Sequence, residues 1–81
     1  MNPLEKWRSQ HQLSRRALAL AAGVSYGSVY GIETGLVGRL HPRVIALVQE
    51  IDGSPAAQSL AVEWKSWRDH LAHEAHAAVV R

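Results

Sequence analysis

RRALALAAGVSYGSVYGIET, running from Arg15 to Thr34, carries more structural information than any other segment of this chain. Ala19 falls where two helices must nearly touch, and its small side chain permits the close crossing. Gly23 falls where the chain must turn, and glycine enters the left-handed conformation that ends a helix without a Cβ clash. Ser25 follows at the position that caps the next helix by accepting hydrogen bonds from its unpaired amides. Val29 and Ile32 give that second helix its apolar anchors. Together the spacing describes a helix–turn–helix. An ordinary αα-corner inside a small bundle uses the same small residue and the same glycine, so spacing alone leaves a structural and a DNA-reading use open.

The rest of the chain narrows the setting. Eighty-one residues suffice for one domain and not for two cores. Hydrophobic residues make up 47% of the chain, enough for a helical core, and no β-alternation persists anywhere. Cysteine is absent, which excludes a disulfide framework and a thiolate zinc site. Stability must then come from helix packing or from a partner subunit. No apolar run is long enough for a bilayer, and the opening MNPLEKWRSQ lacks the apolar stretch of a signal peptide. A cytoplasmic protein without membrane contact is expected.

Net charge is only +2, but its distribution is uneven. Residues 1–43 carry Lys6, Arg8, Arg15, Arg16, Arg39 and Arg43 against Glu5 and Glu33, a surplus of four positive charges. Residues 44–81 carry Lys65, Arg68 and Arg81 against Glu50, Asp52, Glu63, Asp69 and Glu74, a surplus of two negative charges. The basic half is the half containing the corner, as expected if it meets a polyanion.

Punctuation predicts an all-α fold: a compact bundle of about five helices, the last one long and amphipathic. Asn2-Pro3 offers a cap and a first-turn proline, with Leu4 and Trp7 facing inward up to about His11. Ser14 caps a second helix that ends at Gly23, and the third runs from Ser25 to Glu33. Gly35 and Gly38 bracket a loop, Pro42 opens a fourth helix through Ile51, and Asp52-Gly53 stops it. Ser54-Pro55 starts the last segment, which reaches near Val79. Its residues Leu60, Trp64, Trp67, Leu71, Ala75 and Ala78 form one apolar stripe at separations of three and four. Two regions follow: 1–53, carrying the helix–turn–helix, and 54–81, a C-terminal helix packed on the same domain.

From about Leu4 to Ile51 the chain resembles the lambda-repressor/Cro-like (XRE) family of DNA-binding proteins. The resemblance rests on Trp7-Arg8 late in the first helix, LSRRALA opening the second, AGVS at the turn, and SVYGIETG closing the third. It implies an ion pair between Arg8 and Glu33 that fixes the first helix against the third. It also implies that the third helix lies in the major groove while the second helix and nearby loops hold phosphates. Carried over residue by residue, Tyr26, Gly27, Tyr30 and Gly31 face the bases or the groove wall. Arg15, Ser28 and Thr34 approach the backbone, and Ser25 caps the helix whose positive end favours a phosphate.

At the base-facing positions the chain departs from the family, which often carries Gln, Asn, Arg or Ser there because these contact base edges. Two glycines and two tyrosines stand instead. Each glycine costs a helix about 0.8–1.0 kcal/mol relative to alanine. Either bare backbone at Gly27 and Gly31 lets the helix sit deep against thymine methyls, or the glycines are tolerated on an exposed face and Tyr30 packs on the sugar–phosphate wall. On both accounts Gly31→Ala is expected to stabilise the free protein. Arg15, Arg16, Arg39 and Arg43 are the candidate phosphate clamps. Arg39 or Arg43 could instead enter a narrow A·T-rich minor groove.

Trp64 and Trp67 on one helix stripe suggest a dimer interface with Leu60 and Leu71, since tryptophan is enriched at interfaces. The alternative is that they complete the core. His70, His73, His76 and Glu74 are spaced so that one pair, His70 and Glu74, could share an ion. With no cysteine and no distant fourth ligand, no metal site is expected, and no cofactor.

These features predict a transcriptional regulator that binds double-stranded DNA as a homodimer, a Cro-like repressor on a palindromic operator. The alternative is an antitoxin-type module whose C-terminal helix captures a partner protein while the front half autoregulates its operon. An enzyme is not expected: no nucleophile–base–orienter set or phosphate-cradling glycine loop is visible.

Overall fold

The computed structural model describes residues 2–79, apart from the side chains of Ala77 and Val79. Five helices follow one another: α1 (Pro3–Gln10), α2 (Arg15–Ala22), α3 (Tyr26–Thr34), α4 (Pro42–Asp52) and α5 (Ser54–Val79), with no strand among the described residues. The first four begin on a side chain that accepts a first-turn amide: Asn2 from Glu5 at 2.7 Å, Ser14 from Ala17 at 3.0 Å, Ser25 from Ser28 at 3.1 Å, and the His41 ring from Arg43 at 3.0 Å. Such caps satisfy amides that the helix itself leaves unpaired. Gly23 (φ +71°) and Gly35 (φ +79°) end α2 and α3 in the left-handed conformation. The turn between α2 and α3 is Gly23-Val24-Ser25, three residues long.

Apolar positions at helical spacing converge on one core. Leu4 and Trp7 of α1, Leu18 and Ala19 of α2, Val29 and Ile32 of α3, Val44, Leu47 and Val48 of α4, and Ala57, Leu60 and Trp64 of α5 are all buried. Leu40, in the loop before α4, closes it. α5 packs chiefly on α4 and then on α1. Its 26 residues, about 39 Å at 1.5 Å per residue, match the 43 Å long axis of the molecule. Only the first part of α5 is covered. Beyond Arg68 its described side chains are exposed.

Two polar links tie distant parts of the chain. The Asn2 amide donates to the carbonyls of Ile32 and Glu33, so the residue that caps α1 also holds the end of α3. The Trp7 indole donates to Asp52 at 2.7 Å, and the His11 ring stacks on Trp7 with centroids 4.3 Å apart. His11 also lies within hydrogen-bond distance of the Trp7 carbonyl (2.9 Å) and of Asp52 (3.1 Å). Both ring nitrogens thus face acceptors, an arrangement that only the imidazolium satisfies fully.

Candidate nucleic-acid interface

α3 is anchored from behind by a buried carboxylate. The Glu33 side chain has no exposed area, and it accepts from Arg8 Nε at 2.8 Å, Arg8 Nη2 at 3.1 Å and Arg15 Nε at 2.9 Å. Arg8 Nη1 donates to the Leu13 carbonyl at 2.9 Å, completing its fork. The Arg8–Glu33 pair expected from the sequence is present, with Arg15 as a third member. Hydrogen bonding to Glu33 is the main cause that raises the pKa of both arginines, and Tyr26 adds a smaller contribution at Arg15. One cluster thereby joins α1, α2 and α3.

Arg15 therefore differs from the free phosphate clamp predicted for it. Its Nε is committed inward, and its guanidinium lies 5.4 Å from the centre of the Tyr30 ring. At that distance a cation and a ring attract, so Arg15 also steadies Tyr30. What Arg15 keeps for an external partner is the outer edge of the guanidinium, with the side chain 31% exposed.

Tyr26 and Tyr30 are 51% and 44% exposed. Gly27, between them in sequence, is exposed too. A Cβ built there would meet nothing nearer than the Ser25 hydroxyl at 3.8 Å. These three residues are exposed to solvent.

Gly31 is not. It is buried, and a Cβ there would lie 2.9 Å from Cγ1 of Val37. The loop after α3 folds back and sets Val37 against the bare backbone, so this glycine serves a close internal approach rather than the groove. The expectation that Gly31→Ala would stabilise the free protein meets an opposing contact, since Val37 would have to shift to admit the methyl. Val37, which the sequence analysis did not single out, is the residue that covers it.

The predicted backbone-contacting residues fall into two groups. Ser28 and Thr34 are partly committed: the Ser28 and Ser25 hydroxyls pair at 3.0 Å, and Thr34 donates to the Tyr30 carbonyl at 2.8 Å. Arg43 donates to the Gly23 carbonyl at 3.0 Å, bracing the α2–α3 turn from the start of α4. Arg16 and Arg39 are exposed and make no hydrogen bond or ion pair among the described residues. Arg39 lines an open cavity of about 380 Å³ with Ser28, Ile32, Val37, Gly38, His41 and Pro42, which brings α3 beside the start of α4.

The predicted dimer stripe turns out to face largely inward. Leu60 and Trp64 are 6% and 2% exposed within this single chain, and the Trp64 indole donates to the Ile32 carbonyl at 3.0 Å. They are core residues, not an interface. Trp67 is half-buried against Gly35, and Leu71 also reaches Gly35 while staying 37% exposed. An apolar stripe at helical spacing records burial without recording which partner does the burying.

His70 and Glu74 pair at 3.1 Å on the exposed outer part of α5. Among the described residues, no three metal-ligating side chains gather. No described helix is long and apolar enough to cross a membrane. No protein-family model matches the chain, and neither curated proteins nor solved structures give a match.

Proposed function

We propose that this chain is a sequence-specific regulator that binds double-stranded DNA, a Cro-like repressor with α3 in the major groove. The reading rests chiefly on the braced and open presentation of α3. Glu33 ties the helix to α1 and α2 through Arg8 and Arg15, while Tyr26, Gly27 and Tyr30 stay uncovered. A helix that must enter a groove needs such a fixed mount. The Ser25-capped start of α3 offers the positive end of its dipole to a phosphate. Arg16 and Arg39 stand exposed nearby in sequence, and the basic surplus falls in the same half of the chain.

One such unit covers a half-site, so a two-fold pair on a palindromic operator belongs to the proposal. With Leu60 and Trp64 committed to the core, the pairing surface moves to the outer part of α5, beyond Trp67. Repression would follow from occlusion of a promoter.

Selection of bound sequences from random duplex DNA, repeated at two salt concentrations, tests the reading. A recovered consensus, with affinity falling steeply as salt rises, is the expected result. Failure to retain any duplex at low salt, or an affinity indifferent to salt, overturns it.

A further inference from the structure

We propose that the cavity between the α3–α4 loop and α5 binds a small amphipathic carboxylate, its apolar body against Trp64 and its charge at Arg39 and Lys65. The binding itself stands apart from the DNA-binding reading above; its effect on DNA rests on that reading.

The cavity holds about 390 Å³, in the lower part of the range of about 300–1,000 Å³ that small-molecule sites occupy. Part of its lining is apolar: Leu40 and Trp64 are buried, Ile45 and Ala61 half-buried. Ala61, Trp64, Lys65 and Arg68 recur at helical spacing, so they share one face of α5. Arg68 Nε donates to the Val37 carbonyl at 3.2 Å, which pins that face to the loop after α3.

The remaining lining is mostly cationic. Arg39, Lys65 and Arg68 stand against Asp69 alone, a surplus of two positive charges. Arg39 and Lys65 are exposed and make no hydrogen bond or ion pair among the described residues. Uncommitted cations beside an apolar lining match a ligand that is apolar at one end and anionic at the other. An apolar body set against Trp64 and Ile45 takes both surfaces out of water. A carboxylate accepts two parallel bonds from a guanidinium. A bare phosphate would leave the apolar lining wet, and a neutral molecule would leave the cations without an acceptor.

Arg39 also lines the cavity beside α3. A carboxylate that engages its guanidinium competes with a DNA phosphate for it, so the ligand should weaken operator binding.

Octanoate, titrated into the full chain at constant ionic strength, tests the site by NMR of the Ile45 and Ala61 methyls and the Trp64 indole. These signals should move together and saturate. Octanamide, equally long and uncharged, should bind about tenfold more weakly, the contribution of one hydrogen bond to a charged group. Arg39→Gln and Lys65→Gln, both at exposed positions, should weaken octanoate to a similar degree and leave octanamide unchanged. Equal affinity for the acid and the amide, unmoved Ile45 and Trp64 signals, or inorganic phosphate bound as tightly as octanoate overturns the site. Saturating octanoate should also lower affinity for the selected duplex in wild type but not in Arg39→Gln. Undiminished wild-type affinity overturns the competition for Arg39. Retention of no duplex at all overturns the functional reading and leaves the carboxylate site to stand on the NMR result.

Discussion

The Trp64 indole N–H and the Ile32 carbonyl meet at 3.0 Å in the core, joining α5 to the far side of α3. Trp64 is the largest fully buried side chain, and its ring lies where the helix that faces outward must be supported from within. Trp64→Ala should cost about 3–5 kcal/mol for the lost ring, with the Ile32 carbonyl left to the Asn2 amide alone. Against a total stability of about 5–15 kcal/mol, the variant should melt at a markedly lower temperature by circular dichroism. Trp64→Phe keeps most of the packing and should lose about 0.5–1.5 kcal/mol in chemical denaturation, the cost of one hydrogen bond to a carbonyl that Asn2 still serves.

The two glycines of α3 should respond in opposite directions. Gly27→Ala gains about 0.8–1.0 kcal/mol of helix propensity with no contact closer than 3.8 Å. Gly31→Ala must displace Val37, whose branched side chain has little rotamer freedom, so it should destabilise. Adding Val37→Ala to Gly31→Ala should restore part of the loss. Urea midpoints for the three variants decide this.

Glu33 is the hub of a cluster in which removal of one partner leaves a charge without its mate. Glu33→Gln should cost about 3–5 kcal/mol, the range for breaking a buried pair. Arg8→Ala should cost more than Arg15→Ala, because Arg8 makes two of the three bonds to Glu33 and is 15% exposed against 31%. A double-mutant cycle of Arg8 and Glu33 should return a coupling well above that of exposed pairs, which reach about 1 kcal/mol.

Stability should also follow the clamp between α1 and α4. The His11 pKa is raised, first by the Trp7 carbonyl and then by Asp52, so its contribution is complete below about pH 6.5 and fades as pH rises through the folded value. The Asp52 pKa is lowered, first by the Trp7 indole, so its contribution is complete above about pH 3.9 and fades as pH falls through the folded value. Both act together between roughly pH 4 and 6.5. The stability gap between wild type and His11→Gln should be wider at pH 5 than at pH 8 by thermal unfolding. An equal gap at both would contradict the clamp.

Arg39 separates binding from folding. It makes no bond among the described residues, so Arg39→Ala should leave stability within about 0.5 kcal/mol. It should weaken DNA binding across all sequences and lower the salt slope by about one. Arg15→Ala, by contrast, should change stability and binding together.

Helix order and ends were legible because their signals are local. Asn2-Pro3, Ser14, Ser25 and Pro42 cap or open helices wherever they stand, and Gly23 and Gly35 end them. The Arg8–Glu33 pair came from the family resemblance, and it forms. Facing was harder to read. Gly31 has no side chain to record a hydrophobic phase, and its cover comes from Val37 in a loop. Leu60 and Trp64 sit on a stripe that a core or a partner would bury equally well. The bonds from Asn2 to the end of α3 and from Trp7 to Asp52 span 30 to 45 residues, and neither leaves a periodic trace.

Backbone NMR of the chain titrated with its selected half-site duplex tests the proposed mode of binding most directly. The amides of Tyr26, Gly27 and Tyr30 should shift furthest, with those of Ser25 and Ser28 following. Shifts confined to α1, α4 or α5, with the α3 amides unmoved, would contradict it.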